Sequence, residues 1–128
     1  MSKKKPLIVF EGIEGTGKTT LINHVSTYLR KKNISFVKIR EPGGNRNSEL
    51  IRKLILNKKN KFNSFTDLML YFAARSENIE KIINKYYTKK IILIDRFTDS
   101  TLAYQHYGMK LDKLLINKIN RILLKKIN

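Results

Sequence analysis

The sequence predicts an α/β fold: a parallel sheet of three short strands with helices on its faces. Three apolar runs, Leu7–Phe10, Ser35–Ile39 and Ile91–Ile94, are strand-length and alternate with stretches of helical spacing. Each run stops abruptly on a polar or glycine signature: Glu11-Gly12, Arg40-Glu41-Pro42-Gly43-Gly44 and Asp95-Arg96. Open parallel sheets collect ligands outside the carboxyl ends of their strands, so this convergence predicts one composite site.

Leu7–Phe10 is apolar throughout, which predicts a strand buried on both faces. From Lys18 to about Lys32, Leu21, Ile22, Val25, Tyr28 and Leu29 recur at helical spacing, and Asn33 breaks the helix. The second strand leads through Pro42 and two glycines to a helix that Ser48 can cap, with Leu50, Ile51, Leu54 and Ile55 inside. The lysine-rich stretch Asn57–Asn63 reads as a loop. A long helix follows from about Ser64 to Tyr87, with Phe65, Leu68, Met69, Phe72, Ile79, Ile82 and Ile83 forming a stripe that Arg75 interrupts. After the third strand come a short helix over Ser100–His106 and a last helix from Leu111 to about Ile127. No linker or internal repeat divides the 128 residues, so the whole chain is expected to form one domain.

Composition narrows the class. No stretch approaches the roughly 18 apolar residues of a membrane span, and the apolar run after the basic N-terminus is too short for a signal peptide. The absence of cysteine excludes a disulfide framework and fits a cytoplasmic protein. The net charge of +17 rests on 20 lysines against 7 arginines. These lysines are spread along the chain without interleaved aromatics, which argues for a solvated surface over specific nucleic-acid binding.

The stretch between the first strand and first helix carries chemistry. Gly12, Gly17, Lys18 and Thr19 match G-x-x-x-x-G-K-[ST], the phosphate-binding loop. Glycines let backbone N–H groups turn inward, and the following helix N-terminus favours anions. Lys18 supplies a point charge for the β/γ-phosphates, and the Thr19 hydroxyl suits Mg²⁺. The chain is therefore expected to bind a nucleoside triphosphate through Gly12, Ile13, Glu14, Gly15, Thr16, Gly17, Lys18 and Thr19. Asp95 would face this loop as a metal-water ligand or a loop-fixing carboxylate, and the Arg96 fork suits a phosphate shared with a second substrate. Glu41-Pro42 is a candidate cis peptide.

Phe10–Thr20, Arg40–Gly44 and Asp95–Gln105 together resemble thymidylate kinase in sequence and order, and the likeness runs from about Leu7 to the end of the chain. The resemblance implies the three-layer fold of P-loop nucleoside monophosphate kinases, here with three strands. It implies transfer of the ATP γ-phosphoryl to dTMP, giving dTDP, with Mg²⁺. Lys18, Arg96 and Glu14 would be catalytic, Arg96 holding the 5′-phosphate and Glu14 the sugar hydroxyl. Arg40, Arg75, Ser100, Thr101, Tyr104 and Gln105 would complete the substrate site, Arg75 donating to the thymine oxygens. The family's stacking aromatic falls on Tyr71, with Phe72 next to it as the alternative. The family usually forms homodimers.

The sequence departs from the pattern in two places. Gly15 follows Glu14 where one branch of the family carries an arginine, and the arginine-bearing lid of the other branch is expected to be absent. The expectation is an N-terminal portion of a kinase, weakly active or inactive alone, with Leu7–Phe10 as an exposed apolar edge. Two other readings stand beside it: a noncatalytic nucleotide-binding fragment, and a P-loop kinase for another nucleoside or nucleotide.

Overall fold

The computed structural model describes residues 3–12, 17–96 and 112–127. In chain order these form β1 (Leu7–Phe10), α1 (Lys18–Lys31), β2 (Phe36–Arg40), α2 (Arg46–Leu56) and α3 (Ser64–Asn78). A π-helical segment (Ile79–Ile83), the short α4 (Asn84–Tyr86), β3 (Ile91–Asp95) and α5 (Lys113–Leu124) follow. The predicted short helix over Ser100–His106 lies outside the described residues. No helix among the described residues is long and apolar enough to cross a membrane.

The three strands make one parallel sheet in the order β1-β3-β2, with Leu93 opposite both Ile8 and Lys38. The outer strands therefore share a sheet without touching. The central strand has neighbours on both sides and helices on both faces, and Ile92, Leu93 and Ile94 are fully buried. Alternation along β3 divides the interior. Leu93 packs with Phe10 and with Ile22 and Leu29 of α1. Ile92 and Ile94 face the other way, onto Leu68 and Phe72 of α3 and Ile116 and Leu123 of α5. Helix, sheet and helix form three layers.

Several expectations need correction. β1 is not buried on both faces: Leu7, Ile8 and Val9 are 36–38% exposed because β1 is an edge of the sheet, the position anticipated for a three-stranded version of this fold. Asn45, not Ser48, caps α2, accepting from the Ser48 N–H. Ser48 is instead buried, donating its hydroxyl to the Ala74 carbonyl on α3, so Leu50 and Leu54 turn outward and are exposed. Leu21, Tyr28, Phe65, Leu114 and Ile122, placed on apolar stripes by spacing alone, are also exposed. The long helix runs close to its expected bounds but widens to π geometry over Ile79–Ile83. Asn33 ends α1 at φ 56°, and the Ile34 N–H returns to the Leu29 carbonyl.

Candidate functional site

Gly17 precedes α1 at φ 83°, a left-handed conformation that glycine adopts without steric cost, and so turns the chain into the helix. Lys18 is then the first residue of α1, and its ammonium pairs with the Asp95 carboxylate at the end of β3. Next to Asp95, Arg96 adopts φ 70°, unusual for a residue with a Cβ and a mark of local strain. Its N–H donates to the Phe10 carbonyl at 2.8 Å, tying the exit of β3 to the end of β1.

These elements wall a cavity of 490 Å³, within the size range of small-molecule sites. Gly17, Lys18, Thr19 and Thr20 form one side; Arg40, Glu41 and Pro42 follow β2; Asp95 and Arg96 follow β3; Arg52 and Leu56 come from α2, and Tyr71 from α3. Four of these residues are cations, against the carboxylates of Glu41 and Asp95. The arrangement suits a polyanion with one flat apolar end, which Tyr71 and Leu56 can face.

The turn after β2 is tightly specified. Glu41-Pro42 is cis. Arg40 donates from Nε and Nη2 to the two Glu49 oxygens, at 3.1 and 2.9 Å, and the Gly44 N–H donates to Glu49 Oε1. Asn78 donates to the Gly43 carbonyl and accepts from Asn45 Nδ2 at 2.7 Å. A Cβ on Gly44, at φ 111°, would lie 2.9 Å from Asn78 Oδ1, so this close approach requires glycine. Behind the turn, Glu41 is buried and accepts from Arg75 Nε at 2.7 Å. Burial pushes the Glu41 carboxyl up, partly offset by the Arg75 charge beside it.

Hydrogen bonding from Arg40 holds the Glu49 carboxyl down, at about 2, against an ordinary 4.5. A depressed acid stabilises the fold above its unfolded-state value and loses that contribution as pH falls through the folded one. The stability difference between wild type and Glu49→Gln should therefore shrink from pH 6 to pH 2, mostly below about 4.5. Thermal melts across that range check it; a constant difference would refute it. Glu41 titrates with the opposite sign, and subtracting the variant removes its contribution.

The expected site residues separate clearly. Gly17, Lys18, Thr19, Arg40, Tyr71, Asp95 and Arg96 come together around the cavity. Between the two stacking alternatives, Tyr71 lines the cavity whereas Phe72 is 5% exposed in the core, correcting its placement at the substrate. Arg75 does not line the cavity either: it lies 2% exposed behind Glu41. Gly12 follows β1 and does not line the cavity; Ile13, Glu14, Gly15, Thr16, Ser100, Thr101, Tyr104 and Gln105 lie outside the described residues. Sequence reasoning missed Arg52 and Leu56. They sit four residues apart, on one face of α2, and Arg52 donates to the Pro42 carbonyl at 2.8 Å.

The family model for thymidylate kinase matches residues 10–126. A curated thymidylate kinase of Prochlorococcus marinus (strain MIT 9515) is 44% identical over 127 residues, spanning 93% of this chain and 60% of the relative. That of Clostridium novyi (strain NT) is 41% identical over 116 residues, spanning 88% and 57%. The crystal structure of thymidylate kinase from Ehrlichia chaffeensis superposes with a TM-score of 0.85 at 40% identity, covering 94% of this chain and 67% of that one. The chain thus spans about three-fifths of the curated relatives' length. With the family model matched over nearly all of its residues, the chain belongs to the thymidylate kinase family.

Proposed function

We propose that this chain binds ATP and dTMP in the cavity above the sheet and transfers the ATP γ-phosphoryl to the 5′-phosphate of dTMP, a step in dTTP synthesis. One observation carries the reading: Lys18, from the phosphate-binding loop, and Arg96, from the end of β3, line the same 490 Å³ cavity. Phosphoryl transfer needs alignment and charge neutralisation rather than a covalent intermediate. In this reading Lys18 meets the triphosphate, and Arg96, with Arg40 and Arg52 beside it, meets the monophosphate. Tyr71 stacks on the base, with Glu14, Ser100, Thr101, Tyr104 and Gln105 completing the site.

Mg²⁺ held by phosphates needs only one or two protein oxygens, and the Thr19 hydroxyl and Asp95 carboxylate, both hard donors at the cavity, fit that requirement. When bound, Mg²⁺ would neutralise phosphate charge. The reading includes a cytoplasmic location. It also includes a homodimer, which the outward-facing Leu50 and Leu54 of α2 and Phe65 of α3 support as apolar contact surface.

Calorimetry with ATP, and with dTMP in competition with dUMP, dCMP and dGMP, tests the binding, and transfer of label from γ-labelled ATP tests the chemistry. Saturable binding of both nucleotides with preference for dTMP is expected. Binding without transfer would favour the noncatalytic reading; preference for another nucleotide would overturn the substrate assignment.

A further inference from the structure

Lysines that look scattered along the sequence are gathered by the fold. Because the sheet is parallel, its three strands all start at one end of the molecule, opposite the cavity. Four segments meet at that end: residues 3–6 before β1, 28–36 from the end of α1 into β2, 84–90 before β3, and 124–127 closing α5. The Lys5 N–H donates to the Tyr87 carbonyl at 2.6 Å, the Ile91 N–H to Ser35 at 3.1 Å, and Asn84 Nδ2 to the Lys126 carbonyl at 2.9 Å. These segments carry eleven of the chain's 27 Lys and Arg (Lys3 to Lys5, Arg30 to Lys32, Lys85, Lys89, Lys90, Lys125 and Lys126) and no Asp or Glu. All but Lys90 are exposed, and none is ion-paired among the described residues. The pairs Lys18–Asp95, Arg40–Glu49 and Arg75–Glu41 lie at the cavity end.

Aromatic rings hold several of these cations in place. Lys4 lies 5.2 Å from the Tyr87 ring centroid, Arg30 5.5 Å from Phe36 and Lys32 5.8 Å from Tyr28. Lys85 and Lys90 lie 5.2 and 5.1 Å from Tyr86. A cation anchored on a ring keeps its charge in one place and loses less entropy on meeting an anion.

We propose that this basic end is a docking surface for single-stranded nucleic acid, its cations meeting phosphodiesters and Tyr28 a base. The inference is independent of the reading of the cavity. A one-sided field of uncompensated cations concentrates polyanions. Tyrosines set among the cations favour nucleic acid over lipid, and Tyr28 remains 58% exposed beside Lys32. The cations also come from four segments, not from one amphipathic helix with an apolar face, the arrangement that lies in a lipid interface.

Fluorescence anisotropy with a labelled oligothymidylate of about 20 nucleotides, repeated across a salt series, tests the surface. Saturable binding is expected, with Kd of about 10⁻⁶–10⁻⁴ M at physiological salt and affinity falling as salt rises. The triple variant Lys4→Gln, Lys85→Gln and Lys89→Gln, at three exposed positions, should weaken binding about tenfold or more. It should also lower the slope of log affinity against log salt by about 2, since each phosphate contact on a single strand accounts for roughly 0.7. The same charge change in the loop before α3, Lys58→Gln, Lys59→Gln and Lys61→Gln, should leave affinity within about twofold. Melting curves check folding. Should the first triple variant fail to fold, Lys31→Gln with Lys32→Gln, exposed at the end of α1, is compared with Lys58→Gln and Lys59→Gln instead. Equal weakening by the two sets would reduce the effect to net charge and overturn the docking surface. Absence of oligonucleotide binding would overturn it too. Tighter binding to vesicles of phosphatidylcholine and phosphatidylserine than to the oligonucleotide would overturn it in favour of a lipid surface.

Discussion

Replacing Arg75 by leucine should lower stability by about 3–5 kcal/mol, the range for removing one partner of a buried ion pair. Arg75 and Glu41 side chains are 2% and 6% exposed, and their 2.7 Å contact is shielded from solvent. The leucine leaves the Glu41 carboxylate buried without its cation, and Asn120 without its donor. Replacing both members, Arg75→Leu with Glu41→Leu, should recover much of the loss, because the cost lies in the orphaned charge. Urea unfolding of wild type, both single variants and the double variant gives the cycle. The Glu41 carboxyl is already displaced upward by burial, so its native state binds protons more readily than its unfolded one. Acidification should therefore narrow the deficit of the Arg75 variant. A single-variant loss below about 1 kcal/mol would contradict the pairing.

Lys18→Met should weaken ATP binding about ten- to a hundredfold, the equivalent of one charge-assisted hydrogen bond. The side chain is 9% exposed, and its partner Asp95, at 32%, can recover water once the ammonium is gone. Stability should change little, while the triphosphate loses the only lysine on the cavity wall among the described residues. Calorimetric titration with ATP reads the loss and melting provides the control. Unchanged ATP affinity would remove Lys18 from the triphosphate site.

The parts of this molecule legible in its sequence are those written in short-range pattern. The three strands and α1 each follow from a few neighbouring residues, and the polar exits of β2 and β3 mark where the cavity lies. What escaped depends on contacts between distant segments. Asn45 and Ser48 are both competent caps, and the choice falls to Asn45 because Ser48 has a buried acceptor on α3, twenty-six residues away. Arg52 looks like any cation on a polar helix face until α2 folds over the turn at Pro42. Tyr71 and Phe72 differ by one residue, about 100° around the helix axis, so spacing could not select the one that meets the cavity. The solvent face of β1 was foreseen only through the order of strands.

The backbone bond from Arg96 to Phe10 couples two things that otherwise look separate. Phe10 closes β1, an edge strand among the described residues, whereas Arg96 stands at the rim where an anion would be captured. Peeling of that strand would release the left-handed backbone conformation at Arg96. Conversely, a bound anion that pins Arg96 would hold β1 in place, so capture at the rim and cohesion of that strand become one linked equilibrium.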